Sequence, residues 1–330
     1  MATQDDTPNG TGHQTISVAV INSHCLVALV NRPVLTTWTD EVNANDSCIA
    51  NYLVGYSEPT VFTGRIDRVP YGSGTSGLFT KWVSGFDEIN LYRAYKIVGT
   101  PDSLVYVANN DPDHNICVFK LTKDTVASTD WRMKTGTNDI MGLAVDNNGY
   151  VYVCALKGTA QNTKEIQVFK GIKAAGTKWG SSYDDAPVAT IDLPAGTYRG
   201  LAVSGDGKLL FVSNMGERTV TKYTGSPTTG YTKATGFAWT ESKNDTIPLS
   251  QYDTLGTKAW DLGRPLGMAY LNGNNILYVA TARWLGLLLK THNSTNGYSY
   301  SKIIGINPMT GKQIDSIDIA KYYFDKTGSY

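Results

Sequence analysis

The sequence predicts an all-β chain assembled from a repeated four-stranded unit. Three observations predict it: a hairpin motif that returns along the chain, a composition suited to strands and turns, and a spacing that fits four strands per repeat. The motif is clearest at Gly200–Asn214, "GLAVSGDGKLLFVSN". A short apolar run leads through a turn of Gly, Asp and Ser into a second apolar run, which is the pattern of a β-hairpin. It returns as "YKIVGTPDSLVYVAN" at Tyr95–Asn109, "GLAVDNNGYVYVCA" at Gly142–Ala155 and "GMAYLNGNNILYVAT" at Gly267–Thr281. Glycine occurs 33 times and tyrosine 20 times against 8 phenylalanines, in a chain also rich in Thr, Asn and Ser. Such residues favour strands joined by many turns.

The elements follow in order. "ISVAVINSHCLVALVN", Ile16–Asn31, carries Asn22, Ser23, His24 and Asn31 and partly alternates, so it reads as a strand pair and not as a membrane span. "ANYLVGYSEP" at Ala50–Pro59 then reads as a second strand, "TGRIDRVPYG" at Thr63–Gly72 as a third and "FTKWVSG" at Phe79–Gly85 as a fourth. Residues 15–90 thus form one divergent unit after an extended or disordered segment, 1–14. In the clear repeats, 92–320, each hairpin is followed by a third strand: "NICVFKL" at Asn115–Leu121, "EIQVFKG" at Glu165–Gly171, "RTVTKYTG" at Arg218–Gly225 and "KIIGINPMTG" at Lys302–Gly311. Fourth strands are expected at "STDWRM", "VATIDLP", "TKAWDLG" and "QIDSIDIA", with Trp131, Ile191, Trp260 and Ile317 as recurring large side chains.

First strands begin at 95, 142, 200 and 267, at intervals of 47, 58 and 67. Four strands in a period a little above 40–50 residues indicate a β-propeller of antiparallel blades with long loops. The chain is expected to be a single propeller over 15–330. Five blades are recognisable, and a sixth, partial or built from both ends of the chain, completes the expected ring. A lone blade cannot bury both faces, so each needs two neighbours.

The repeat "GLAVSGDGKLLFVSNMGERTVTKYTG" resembles the NHL and YVTN-type propeller repeats. The resemblance covers about 92–320, and Pro265–Tyr270, "PLGMAY", keeps the family's Pro-x-Gly start. It implies a propeller of the gluconolactonase-like superfamily, whose members include lactonases, lyases and binding modules, so function does not transfer with it. In the gluconolactonase-like members a metal sits at the channel mouth on a Glu, an Asn and an Asp. Asn138 and Asp139 are the matching positions here, but glutamate is scarce near these strands, which is a departure from the pattern. The lone Trp260–Asp261 dipeptide speaks against a WD-repeat protein.

Charge excludes little but does so clearly. With 29 basic and 29 acidic residues, no global field draws the chain to nucleic acid or an anionic membrane. The polar, acidic start lacks the features of a signal peptide. An extracellular or periplasmic mature form is expected, with a cytoplasmic protein as the alternative. Cys117 and Cys154 lie in strand-like runs as small core residues, and no cysteine spacing fits zinc. Cys25 and Cys48 pair if the protein is exported and stay as thiols otherwise.

Candidate chemistry is sparse. "GSGTSG" at Gly72–Gly77 satisfies Gly-x-Gly-x-x-Gly, but a β-segment follows it where a dinucleotide site needs a helix. There is no Gly-x-Ser-x-Gly nucleophile elbow and no His-Glu-x-x-His. "NDPDHN" places Asp111, Asp113 and Asn115 at alternate positions, as at the start of a calcium loop; Ile116 and Thr122 stand where an EF-hand needs Gly and Glu. Its readings are an Asx-rich turn between second and third strands or a surface calcium site. The leading residues of the first strands, expected at the channel mouth, are Arg93, Asp139, Arg199 and Arg264. Three arginines there suit a carboxylate or phosphate ligand, or else pair with acids to hold the ring. The long segment 281–302 carries Trp284, Leu285, Leu287, Leu288, Leu289 and Tyr298, a contact surface if exposed and a longer hairpin if buried. The expected function is a binding or scaffold module for a protein, a carbohydrate or an anionic small molecule. The alternative is a metal-dependent lactonase, hydrolase or lyase.

Overall fold

A computed structural model describes residues 14–22, 25–33, 62–70, 80–81, 96–111, 114–121, 126–133, 138–157, 163–176, 186–196, 198–214, 217–240, 264–282 and 301–318. Among these the protein is all-β. Five antiparallel sheets follow one another along the chain, each ordered strand by strand as in the sequence.

The chain divides into two compact units. The first holds three sheets. Its strands are β1 (Gln14–Asn22), β2 (Cys25–Pro33), β3 (Phe62–Pro70) and β4 (Thr80–Lys81); then β5 (Lys96–Gly99), β6 (Leu104–Asp111), β7 (His114–Leu121) and β8 (Val126–Met133); then β9 (Asn138–Val145), β10 (Tyr150–Lys157), β11 (Thr163–Lys170) and β12 (Ala189–Leu193). The second unit holds two sheets. The first contains β13 (Tyr198–Val203), β14 (Leu209–Asn214), β15 (Thr219–Ser226) and β16 (Gly230–Lys233), with β17 (Trp239–Thr240) also on β15; the second contains β18 (Arg264–Leu271), β19 (Ile276–Ala282), β20 (Ser301–Ile306) and β21 (Gln313–Asp318). First strands begin at Lys96, Asn138, Tyr198 and Arg264, each within four residues of the start read from the repeat. The single described helix, α1, is the four-residue turn Ile172–Ala175.

The sheets correspond to the five recognisable repeats; the sixth blade expected from the repeat falls on residues outside the described set. Two strand assignments are corrected. The second strand of the first sheet is Cys25–Pro33, the other half of the early apolar pair, and it takes the place expected for 50–59. Those residues lie outside the described set. In the fourth sheet the last position belongs to Gly230–Lys233 and not to 257–263, also outside it. The reason is local. Pro227 cannot donate to a ladder, so the chain turns over three residues and returns beside β15. The Tyr231 hydroxyl then donates to the Gly207 carbonyl at 2.6 Å, and the Ala234 N–H to the Lys222 carbonyl at 2.9 Å.

The second strands β6, β10 and β14 are buried on both faces over most of their length, so their sequences read as continuous apolar runs and do not alternate. On β10, Val151, Tyr152, Val153 and Cys154 are all at most 2 % exposed. Cys117 and Cys154 are buried, as core residues should be. One core lies between the second and third sheets, where Tyr106, Val118, Met133, Ile140, Val153 and Phe169 meet. Another lies between the fourth and fifth, around Phe211, Val220, Trp239, Met268 and Leu277. Within each unit, first strands of successive sheets are neighbours: β1 with β5, β5 with β9, and β13 with β18.

Three of the described first hairpins are closed by their own polar side chains. Thr100 Oγ1 binds both Asp102 and the Leu104 carbonyl. Asp146, 3 % exposed, accepts from the Asn148 and Tyr150 N–H groups and, at 3.0 Å, from the Tyr152 hydroxyl. Burial raises its carboxyl pKa against these hydrogen bonds. The Ser204 hydroxyl donates to Asp206 at 2.6 Å and accepts from the Leu209 N–H at 2.9 Å. That hydroxyl, and then the Lys208 N–H, holds the Asp206 carboxyl below the usual range. In the same turn Gly207 has φ +74° and donates its N–H to the Ser204 carbonyl at 2.9 Å. A β-branched residue there is an outlier. Gly207→Val is expected to cost more than about 1 kcal/mol, beyond the centre of the point-mutation distribution, as read by equilibrium denaturation. An unchanged midpoint would show that the turn tolerates a side chain.

Candidate functional site

The first and second strands of a blade pair with a recurrent irregularity. The register skips one residue of the first strand at Ile16 in β1, Met141 in β9, Arg199 in β13 and Leu266 in β18. The skipped residue immediately precedes the motif glycine at Gly142, Gly200 and Gly267. A bulge leaves its extra residue outside the ladder and re-aims the side chain. Three of these positions are apolar and one, Arg199, is charged.

This corrects how the predicted residues relate. Aligned on their hairpin turns, Asp139 and Arg264 are equivalent, three residues before the motif glycine, and Arg199 lies two residues further in. Asp139 is a second skipped residue in β9, and Arg264 opens β18 opposite Ala282. Arg93 and Asp113 lie outside the described residues. Of "NDPDHN", Asn110 and Asp111 end β6, His114 and Asn115 begin β7 with Asp111 in register with His114, and Asn115 is only 1 % exposed. The segment 283–300, with Trp284, the leucines and Tyr298, also lies outside the described residues.

In the second unit the structure brings Arg199 and Arg264 to one end. The Gly205 N–H after β13 donates to Asn272 Oδ1 after β18 at 2.7 Å. The far ends of these neighbouring strands are therefore together, the strands run parallel, and their starts share the opposite end. The ends of β14 and β19 return to that end. They place Ser213, Asn214 and Thr281 there, at 0 %, 5 % and 4 % exposure; Asn214 is in register with buried Tyr198 and Ser213 with Gly200, the two residues that flank half-buried Arg199. Ser213 Oγ accepts the Gly200 N–H at 2.8 Å, and Asn214 Oδ1 accepts the Glu217 N–H at 3.1 Å. The backbone thus gathers Arg199, Arg264 and several polar residues at the same end of these neighbouring strands.

Sequence reasoning missed these partners. Their signal is that "LLFVSN" ends in two polar residues where "VYVCA" ends in none. It also missed Lys96, which occupies in β5 the place of the motif glycine, opposite Ala108, with its amine pKa lowered by burial. Among the described residues no group of three or more His, Cys, Asp and Glu side chains is placed to hold a metal, and no helix is long and apolar enough to cross a membrane.

These sheets, with their strand-by-strand order, define a β-propeller protein. Several solved structures are similar to this chain, one of them with a TM-score above 0.5. A protein from Lactobacillus plantarum matches with TM-score 0.51 at 13 % identity, over 96 % of this chain and 74 % of that one. A chain of a nidogen/laminin complex matches at 0.47 and 14 %, over 93 % and 81 %, and a luciferin-regenerating enzyme at 0.44 and 14 %, over 92 % and 76 %. No protein-family model matches the chain, and no curated protein does. The successive four-stranded sheets are the propeller blades that the resemblance to NHL and YVTN-type repeats implies.

Proposed function

We propose that the protein is a binding module, extracellular or periplasmic, whose ligand is an anionic small molecule of the sugar-acid type. The observation that supports this reading is Arg199. It is the charged residue at a bulge that is otherwise Ile, Met or Leu among the described blades. Fold stability does not require a guanidinium there, since three blades form without one. Arg264 opens the neighbouring strand at the same end. Arginine grips a carboxylate with two parallel hydrogen bonds, and hydrogen bonds to charged groups contribute about 1.5–3 kcal/mol.

The test is calorimetric titration of galacturonate and gluconate into the native protein and into Arg199→Met, which places in β13 the residue that β9 carries. We expect native binding to weaken about 10- to 100-fold in the variant, with the unfolding midpoint held within about 2 °C. Equal affinity in both proteins, or no binding of either acid to the native protein, overturns the reading. The enzyme alternative predicts instead that calcium or zinc raises the midpoint, by about 2.7 kcal/mol of stability at 100 times the dissociation constant.

A further inference from the structure

Lys222 on β15 is 4 % exposed. Its Nζ lies 3.6 Å from Met309 Sδ and 6.0 Å from the centroid of the Phe237 ring. Among the described residues no oxygen acceptor reaches this amine. A ring face attracts a cation and a thioether sulfur accepts only weakly, so both contacts are poor substitutes for an oxygen. Burial accordingly lowers the amine pKa.

Met309 is the opposite kind of residue. It is 58 % exposed, while Met133 and Met268 are 0 % and 6 % exposed. The turn between β20 and β21 also holds it firmly. Asn307 Oδ1 accepts the Met309 N–H at 2.9 Å and the Thr310 N–H at 3.3 Å, and the Gly311 N–H closes on the Asn307 carbonyl at 2.8 Å. An accessible thioether is thus fixed against a buried amine that lacks an oxygen partner.

We propose that Met309 is an oxidation site whose sulfoxide is bound by Lys222, so that peroxide tightens the contact between the fourth and fifth sheets. The sulfur lone pair attacks one oxygen of hydrogen peroxide and the O–O bond breaks. That oxygen stays on sulfur, and the other leaves as water after proton transfer. Sulfur loses two electrons and the peroxide gains them. Methionine sulfoxide usually disrupts the packing it enters because it is polar. Here the S–O oxygen forms beside an ammonium group, where it accepts a charge-assisted hydrogen bond.

The experiment treats the full chain with dilute hydrogen peroxide, follows oxygen addition by peptide mass spectrometry and measures the unfolding midpoint. Met309 is expected to convert before Met133 and Met268, and the midpoint to rise by about 2 °C. Lys222→Met should keep the oxidation and lose the rise. Met309→Gln, which presents a carbonyl oxygen without oxidant, should show a rise in untreated protein. The proposal is overturned if Met309 converts no faster than the buried methionines, or if the oxidised protein melts at or below the untreated midpoint. A rise that persists in Lys222→Met overturns it too. If Lys222→Met does not fold, Met309→Gln decides alone, and an unchanged or lowered midpoint there rejects the idea.

Discussion

Phe211→Ala is expected to destabilise the protein by about 3–5 kcal/mol, the range for truncating a buried aromatic residue. Phe211 on β14 is fully buried at the centre of the core between the fourth and fifth sheets. Its ring lies 5.6 Å from Phe237 at 57° and 5.9 Å from Tyr270 at 14°, one tilted and one stacked contact. Aromatic pairs add about 0.5–1.5 kcal/mol each beyond the area they bury. Truncation removes both at once. It also opens a cavity lined by strands whose hydrogen-bonded ladders prevent them from closing in. Urea denaturation of the native protein, Phe211→Leu and Phe211→Ala measures the effect. Leucine refills much of the volume and should lose clearly less. A loss below about 1 kcal/mol for alanine, the centre of the distribution for all substitutions, would mean that the two sheets do not depend on this ring.

Gly311→Val is expected to cost about 2–6 kcal/mol, from two separate causes. Gly311 has φ +79°, where a residue other than glycine carries about 1–3 kcal/mol of strain. A Cβ at this position would also lie 2.3 Å from the Ala238 carbonyl oxygen and 2.7 Å from its carbon. These are backbone atoms beside β17 and cannot swing aside, so overpacking adds about 1–3 kcal/mol. Gly207→Val carries the strain at a comparable φ and serves as the comparison. Equilibrium denaturation should rank Gly311→Val as the larger loss. Equal losses would show that the turn after β20 can move away from Ala238.

Much of the fold was legible because blades are built from local patterns. The run "GLAV", its polar turn and the run "LLFVSN" specify a hairpin within fifteen residues, and the turn carries its own closing side chains at Ser204 and Asp206. The fourth strands at Val126–Met133, Ala189–Leu193 and Gln313–Asp318 were legible for the same reason. The candidate site was legible only as a set of residue types. Arginines could be counted, but a bulge is a mismatch between two strands and leaves no mark in either one. "YRGLAV" does not show that Arg199 is skipped and Gly200 paired.

The sequence by itself determined the all-β class, the repeat, the positions of the inner strands, the burial of Cys117 and Cys154, and a positive-φ glycine at 205 or 207, which the structure places at Gly207. Each follows from side-chain polarity and backbone freedom over a few consecutive residues. Only the tertiary structure decided that Cys25–Pro33 supplies the second strand of the first sheet, that Gly230–Lys233 completes the fourth, and that Arg199 is the extra residue of its strand. It alone placed Lys222 against Met309, 87 residues away. The physical reason is that pairing register and inter-sheet contact depend on which of several apolar segments packs against which. That choice is made by burial across the whole unit, and no local stretch of the chain contains it.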